Sequence, residues 1–304
     1  MVVMDLVKYN SICEEYKRLR KCLNAVHLQD VIDQLIVKYS VEGIPDSVIK
    51  CIVAYIHQWE TKLKVGRIDW NKAYADYKQG KETIISTSMN LDVSPTIVAK
   101  KFLLNLTDKS SVKLWLQDSS NIPDGKLATD VMTAQYCDPI FGQISNCITT
   151  NAGELFESEI ATILKRAKVC YSSENSLRTK EFDVTPDFKL NIPLAIAVSR
   201  DSKRAFILPP ISLPLCQLCS SDDKTDSQRI VVCWIECKAL FASPQCHKDY
   251  LKYQLSSYAN RFGRGLILYK NGFVKSILDK HPKLTIVQEL VYHECGDPDK
   301  FSDL

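Results

Sequence analysis

Glu236 and Lys238 flank Cys237 at the end of an apolar run, and a Pro186-Asp187 dipeptide lies upstream. Side chains alternate along a strand. Read as a strand, residues 230–239 put Val232, Trp234, Glu236 and Lys238 on one face, and Val231, Cys233, Ile235 and Cys237 on the other. Burying a carboxylate and an ammonium at the end of such a strand is costly unless they have work to do. With Asp187 on another strand they make a carboxylate pair beside a lysine. Hard oxygen donors of this kind suit a divalent cation that activates water against a phosphodiester.

Pro-Asp occurs four times, so the dipeptide alone decides nothing. Pro45-Asp46 precedes an apolar-periodic helix and reads as its N-terminus. Pro123-Asp124 runs into Gly125 and reads as a turn, and Pro298-Asp299 lies in a polar tail. Only Pro186-Asp187 leads into strand-like sequence, Phe188 to Val198, interrupted by Asn191 and Pro193.

Two helices add to the constellation. From about Gly153 to Lys168, Phe156, Ile160, Ile163, Leu164 and Ala167 form a stripe. Glu157 lies at its edge, where its carboxylate can reach inward; Glu154, one turn earlier, is the rival. Residues 248–260 read as the helix after the Glu-x-Lys strand, and Gln254 and Tyr258, four apart, project from one of its faces.

The order helix-Glu157, Thr185-Pro186-Asp187-Phe188, Trp234-Ile235-Glu236-Cys237-Lys238 and Gln254-x-x-x-Tyr258 resembles the PD-(D/E)xK nuclease superfamily. Its last element resembles the glutamine-tyrosine motif of the recombination-nuclease branch. Together, Ile122-Pro123-Asp124-Gly125, Thr185-Pro186-Asp187-Phe188 and Asn260-Arg261-Phe262-Gly263 resemble the codanin-interacting nuclease family over nearly the whole chain. The resemblance implies an α/β fold in which a helical N-terminal part precedes a restriction-endonuclease-like core with a central mixed sheet. It implies Mg²⁺ or Mn²⁺ on Asp187 and Glu236, the backbone carbonyl of Cys237 as a further ligand, and Glu157 bound directly or through water. Lys238 would orient the attacking water and stabilise charge on the phosphate, with Gln254 and Tyr258 in support. The implied activity is a metal-dependent deoxyribonuclease acting on branched or repair DNA. Two rival readings are an interaction protein that binds codanin without cleavage and a helix-turn-helix regulator.

The chain has 304 residues, 45% hydrophobic and 25% charged, the composition of a globular protein with a sizeable core and two domains. A net charge of +3 makes any DNA-binding surface a local patch rather than a global field. Twelve cysteines without a secretory signal, and no apolar run near membrane length, read as reduced thiols in an intracellular protein; the family match points to nucleus and cytoplasm. Cys216-x-x-Cys219 is half a zinc ribbon whose other half is missing, so it reads as a cysteine pair in a loop.

Residues 1–150 read as helical. Val31, Leu35, Ile36 and Tyr39 recur at helical spacing, and after Gly43 and Pro45 the period resumes with Val48, Ile49, Ile52, Val53 and Ile56. Between Thr83 and Leu104 a helix, an Asp92-Val93-Ser94-Pro95 turn and a second helix read as helix-turn-helix, with Ser94 as N-cap. Lys100 and Lys101 on the second helix lie either where a recognition helix contacts DNA phosphates or on the solvated face of a plain helical bundle; the family resemblance implies the DNA contact. The catalytic domain is expected at 151–304. In it Asn271-Gly272 reads as a hairpin turn from Leu266–Tyr269 into Phe273-Val274, Leu284 to Tyr292 as a last strand or helix, and residues 199–229 as a flexible insert. That insert separates Asp187 and Glu236 by 49 positions, so they meet only if residues 194–198 and 230–238 pair.

Overall fold

The computed structural model describes residues 2–23, 27–208, 228–278 and 281–292. They fall into two compact units, Asn10–Asn151 and the combination of Met1–Tyr9 with Ala152–Leu304.

The first unit is helical. Its helices are α1 (Leu6–Arg20), α2 (Leu28–Ser40), α3 (Asp46–Val65), α4 (Trp70–Lys78), α5 (Ile84–Leu91), α6 (Pro95–Leu103), α7 (Lys109–Gln117) and α8 (Gly125–Tyr136), followed by the start of α9 (Gln143–Arg166). The expected stripes face inward: Val31, Leu35 and Tyr39 on α2 and Val48, Ile49, Ile52 and Val53 on α3 are buried. Phe102, Val98, Ile84, Val112 and Val131 join α5 to α8 in one core.

The turn between α5 and α6 falls where the spacing puts it, but its polar groups differ from the expectation. Ser94 occupies the N-cap position without capping α6. Its hydroxyl is instead paired with Nε2 of the buried His57 at 2.8 Å. The first turn of α6 is satisfied by Asp138, whose Oδ2 accepts from the Thr96 N–H at 3.2 Å. Asp92 closes α5 with φ +49°, a left-handed conformation that asparagine and aspartate tolerate best after glycine. Arg20 at 2.7 Å and Lys64 hold its carboxylate.

The second unit is built on a seven-stranded mixed sheet. Its path is β8 (Leu284–Val287), β6 (Gly265–Tyr269), β5 (Gln228–Lys238), β3 (Phe188–Val198), β4 (Arg204–Ile207) and β9 (Glu289–Val291), with β2 (Tyr171–Ser173) also on β3. β3 runs antiparallel to β5, while β5, β6 and β8 are mutually parallel. A separate parallel pair joins β1 (Val3–Met4) to β7 (Phe273–Val274). Phe156, Ile160 and Leu164 of α9 pack on one sheet face with Leu194, Ile196, Val232 and Ile235. On the other face, Trp234, Ile267 and Tyr269 pack with Leu255, Tyr258 and Ala259. The covering helix begins as α11 (Pro244–Tyr250), widens to a π-turn over Leu251–Leu255 and ends as α12 (Ser256–Phe262); α10 (Glu174–Thr179) follows β2.

Further expectations need correction. The stripe helix begins ten residues before Gly153, because the segment from Gln143 to Asn151 carries no buried residue of its own and so leaves no periodic signal. Strict alternation fails on β5: Val232 joins the same core as Ile235 and Cys237, while Trp234 joins the other. The phase slips between Val232 and Trp234, where the β3–β5 register also shifts. Gly272 does make a turn, with φ +89°, but β7 pairs with β1 rather than β6, both of whose edges are taken by β5 and β8. The stretch expected as a loop insert includes β4, whose Ala205 and Ile207 are buried between β3 and β9; residues 209–227, with Cys216 and Cys219, lie outside the described residues. The expected last strand or helix is two strands, β8 and β9.

Candidate active site

The strand pairing that adjacency requires is present: Leu194 to Val198 pair with Val232 to Gln228, and Phe188 sits opposite Ile235. This brings the ends of β3 and β5 together. The Asp187 N–H donates to Glu236 Oε2 at 3.2 Å, and the Cys237 N–H donates to Asp187 Oδ2 at 2.7 Å. Lys238 Nζ lies 2.7 Å from Glu236 Oε1. Asp187, Glu236, Cys237 and Lys238 therefore form one cluster. Asp187 Oδ1 accepts no hydrogen bond among the described residues.

Gln254 and Tyr258 close the cluster from above the sheet. Gln254 Nε2 donates to Glu236 Oε1 at 2.9 Å and to the Tyr258 hydroxyl at 2.8 Å; that hydroxyl in turn donates to the Thr185 carbonyl at 3.1 Å. Tyr250, four residues before Gln254, places its ring under Lys238, with Nζ 4.9 Å from the centroid. An α-helix advances about 100° per residue, so positions 250, 254 and 258 would drift by roughly 80° along a regular helix. The π-turn between them widens the helix and takes back most of that drift. All three side chains consequently meet the end of β5.

Two glycines give this wall its shape. Gly265 lies against the Trp234 indole, where an added Cβ would stand 2.1 Å from Cε2. Trp234 donates from Nε1 to the Gly263 carbonyl at 3.0 Å and meets Tyr258 edge-on at 5.4 Å. Gly263, at φ +87°, turns the chain from α12 toward β6.

Electrostatically the site is short of positive charge. Glu236 is 1% exposed, and burial, followed by the negative charge of Asp187, pushes its pKa up to about 7. Burial also raises Asp187, against the opposing pull of the Cys237 N–H. Burial works against the Lys238 ammonium, but Glu236 outweighs it and holds the lysine pKa above its ordinary value. Glu157 is raised by partial desolvation and then by Asp187 and Glu174. It lies at the edge of this field rather than in the hydrogen-bonded cluster. Glu154 is exposed.

Two participants escaped the sequence reading. Tyr250 had a signal, since it precedes Gln254 by the spacing that joins Gln254 to Tyr258. Glu174 had none. Its N–H reaches the Asp187 carbonyl at 3.2 Å only because Ser173 of β2 pairs with Phe188. Its carboxylate binds Arg178 at 2.6 Å and adds negative charge near Asp187.

The donors suit a hard divalent cation: two adjoining carboxylates, one oxygen unengaged, and buried negative charge that a lysine does not balance. Among the described residues, no group of three or more His, Cys, Asp or Glu is ready-arranged around one ion. Asp187 and Glu236 are therefore the core of the candidate centre. Cys246 and His247 are buried, and His247 Nδ1 pairs with the Tyr269 hydroxyl at 2.9 Å. The nine cysteines of the described residues form no disulfide, and no helix there is long and apolar enough to cross a membrane. Lys100 and Lys101 belong to the helical unit; Lys100 is exposed, and Lys101 Nζ sits 5.7 Å from the Trp70 ring centroid.

A family model described as a protein of unknown function with a TPD sequence motif matches residues 123–203 and 222–290. CDAN1-interacting nuclease 1 of Homo sapiens is 28% identical over 202 residues, covering 64% of this chain and 61% of that protein. The Mus musculus protein of the same name gives the same identity and coverage. The Danio rerio protein is 26% identical over 218 residues, covering 67% and 62%. The chain thus spans somewhat over three fifths of the length of these relatives. No solved structure matches it.

Proposed function

The chain belongs to the TPD-motif family that includes the codanin-interacting nucleases, and from that premise we propose that it is a metal-dependent deoxyribonuclease of the PD-(D/E)xK type. The observation that carries this reading is Glu236, a carboxylate 1% exposed and hydrogen-bonded to the Asp187 backbone, in a site whose lysine leaves negative charge unbalanced. Asp187 and Glu236 would hold Mg²⁺ or Mn²⁺, with the Cys237 carbonyl as a further ligand and Glu157 joining directly or through water. When bound, such an ion polarises the phosphoryl oxygens and acidifies its water.

The protein's own groups do the rest. Lys238, held between Glu236 and the Tyr250 ring, orients the attacking water and stabilises negative charge developing on the phosphate. Gln254 fixes the rotamer of Glu236, and Tyr258 ties that amide to the backbone beside Asp187. The substrate class is DNA, with branched or flapped structures as the first to test. The name of the relatives supports a second proposal, a codanin-like protein partner.

The test uses purified full chain and branched or flapped DNA in Mg²⁺ or Mn²⁺. Wild type should cleave, and EDTA, Asp187→Ala and Glu236→Gln should each abolish cleavage while circular dichroism stays native. Cleavage that survives EDTA or both substitutions overturns the assignment. If wild type cleaves no DNA but binds a codanin fragment, and Asp187→Ala binds it equally, the scaffold reading replaces the enzyme.

A further inference from the structure

The helical unit contains a cavity of about 770 Å³ that the catalytic reading does not use. Lys100 of α6 and Lys109 and Lys113 of α7 line it, and no aspartate or glutamate of the described residues does. All three lysines are exposed and take part in no ion pair among the described residues. Three uncompensated ammonium groups around one concavity repel one another unless an anion enters.

A second observation is independent of charge. Thr96, which also lines the cavity, is only 6% exposed, and its hydroxyl oxygen has no hydrogen-bond partner among the described residues. An orphaned buried hydroxyl is costly, and a rotation about χ1 that turns it onto a ligand in the cavity would remove that cost. The nearby carboxylate of Asp138 does not supply the missing anion. It is 2% exposed and already accepts from the backbone N–H groups of Thr96, Ile140 and Phe141.

The remaining walls suit a base. Leu104, Val112, Leu116 and Phe141 give apolar surface, and side-chain amides such as Gln135 and Asn146 offer both donors and acceptors. A cavity of this size encloses a small ligand. It admits an unstacked nucleotide with its flanking phosphates, whereas a duplex keeps its bases stacked and paired.

We propose that this cavity binds single-stranded nucleic acid, with Lys100, Lys109 and Lys113 on phosphates and the Thr96 hydroxyl on the strand. The choice of nucleic acid among polyanions rests on the nuclease reading; the lysines and the orphaned hydroxyl do not.

The experiment measures fluorescence anisotropy of the full chain, in EDTA, with a labelled 12-nucleotide DNA strand, the matching duplex, and unlabelled dAMP as competitor. The single strand should bind at least tenfold more tightly than the duplex, and dAMP should compete only at a large molar excess. Each phosphate contact to a single strand contributes about 0.7 to the slope of log K against log salt. Combining Lys100→Gln, Lys109→Gln and Lys113→Gln should therefore make that slope shallower by about 2. Thr96→Val should weaken strand binding at least threefold without lowering the melting temperature.

Equal affinity for duplex, displacement by equimolar dAMP, or unchanged strand affinity in either variant overturns the proposal. Strand binding by a protein that cleaves nothing in Mg²⁺ overturns the nuclease reading alone. Wild-type cleavage that Asp187→Ala abolishes, together with strand binding indifferent to the lysines, overturns the cavity proposal alone.

Discussion

Replacing Glu236 by glutamine should make the metal-free protein more stable while removing its response to metal. A carboxyl raised in the folded state from 4.5 to about 7 favours its protonated form there. The folded protein then binds more protons than the unfolded chain between those values, so stability falls as pH rises through that window and the loss is complete above pH 7. A displacement of that size amounts to about 3 kcal/mol. The attraction of Lys238 is already contained in it, because the same lysine stands beside the protonated and the ionised carboxyl. Glutamine keeps the size and hydrogen-bonding capacity of the protonated form. In EDTA at pH 8, Glu236→Gln should gain about 3 kcal/mol, or roughly 5–10 °C in melting temperature for a chain of this size; at pH 5 the gain should nearly vanish. Added Mn²⁺ reverses the order. At a hundred times its Kd it stabilises wild type by about 2.7 kcal/mol and should leave the variant unmoved. Thermal scans at the two pH values, with EDTA and with Mn²⁺, measure all of this. A variant less stable than wild type at pH 8 in EDTA, or one with an equal Mn²⁺ shift, refutes the account of Glu236 as a buried charge kept for a cation.

His57 should make the helical unit acid-sensitive: burial, then Arg20, lowers its pKa from 6.5 to about 4. Because the unfolded chain takes up the proton first, stability should drop by up to about 3 kcal/mol as pH falls from 6.5 to 4. Urea titrations of wild type and His57→Gln at pH 7 and 4.5 check this, with the variant expected to lose less. Gly265→Ala should cost at least about 3 kcal/mol, since the new methyl enters the Trp234 ring and the neighbouring backbone is fixed in the sheet; an unchanged urea midpoint would count against that close packing. Tyr250→Leu removes the ring beneath Lys238, a contact of about 0.5–2 kcal/mol. It should lower kcat about two- to thirtyfold with little change in KM, and a change in KM alone would show that the ring acts on substrate binding instead.

The cluster was legible because its chemistry lies in short local patterns. Glu236 and Lys238 share a strand face at a spacing of two, Gln254 and Tyr258 share a helix face at a spacing of four, and the structure brings both pairs to Asp187. What escaped depended on pairing partners or on departures from regular geometry. Glu174 reaches Asp187 through the β2–β3 register, which no local periodicity encodes. The phase slip on β5 hides in a run that is apolar on both faces, so Val232 and Trp234 look alike although they serve different cores. The extra length of α9 was invisible for the opposite reason, its first nine residues burying nothing. Ser94 has the right residue type in the right place for a cap, but His57, 37 positions away, takes its hydroxyl.

The π-turn over Leu251–Leu255 has a consequence for how this protein can change over time. Such a turn amounts to one residue inserted into an α-helix. Deleting a single residue between Tyr250 and Gln254 would restore a regular helix and leave the two tyrosines seven positions apart, where about 700° of turning returns them to within roughly 20° of one face. Straightening the helix at unchanged length is the damaging change: the drift of roughly 80° returns and carries Tyr258 away from Thr185. The constraint is thus on length and helix type together, separately from the identity of the residues. Across relatives, these nine positions should keep the widened turn, and a relative with a regular helix here should be one residue shorter.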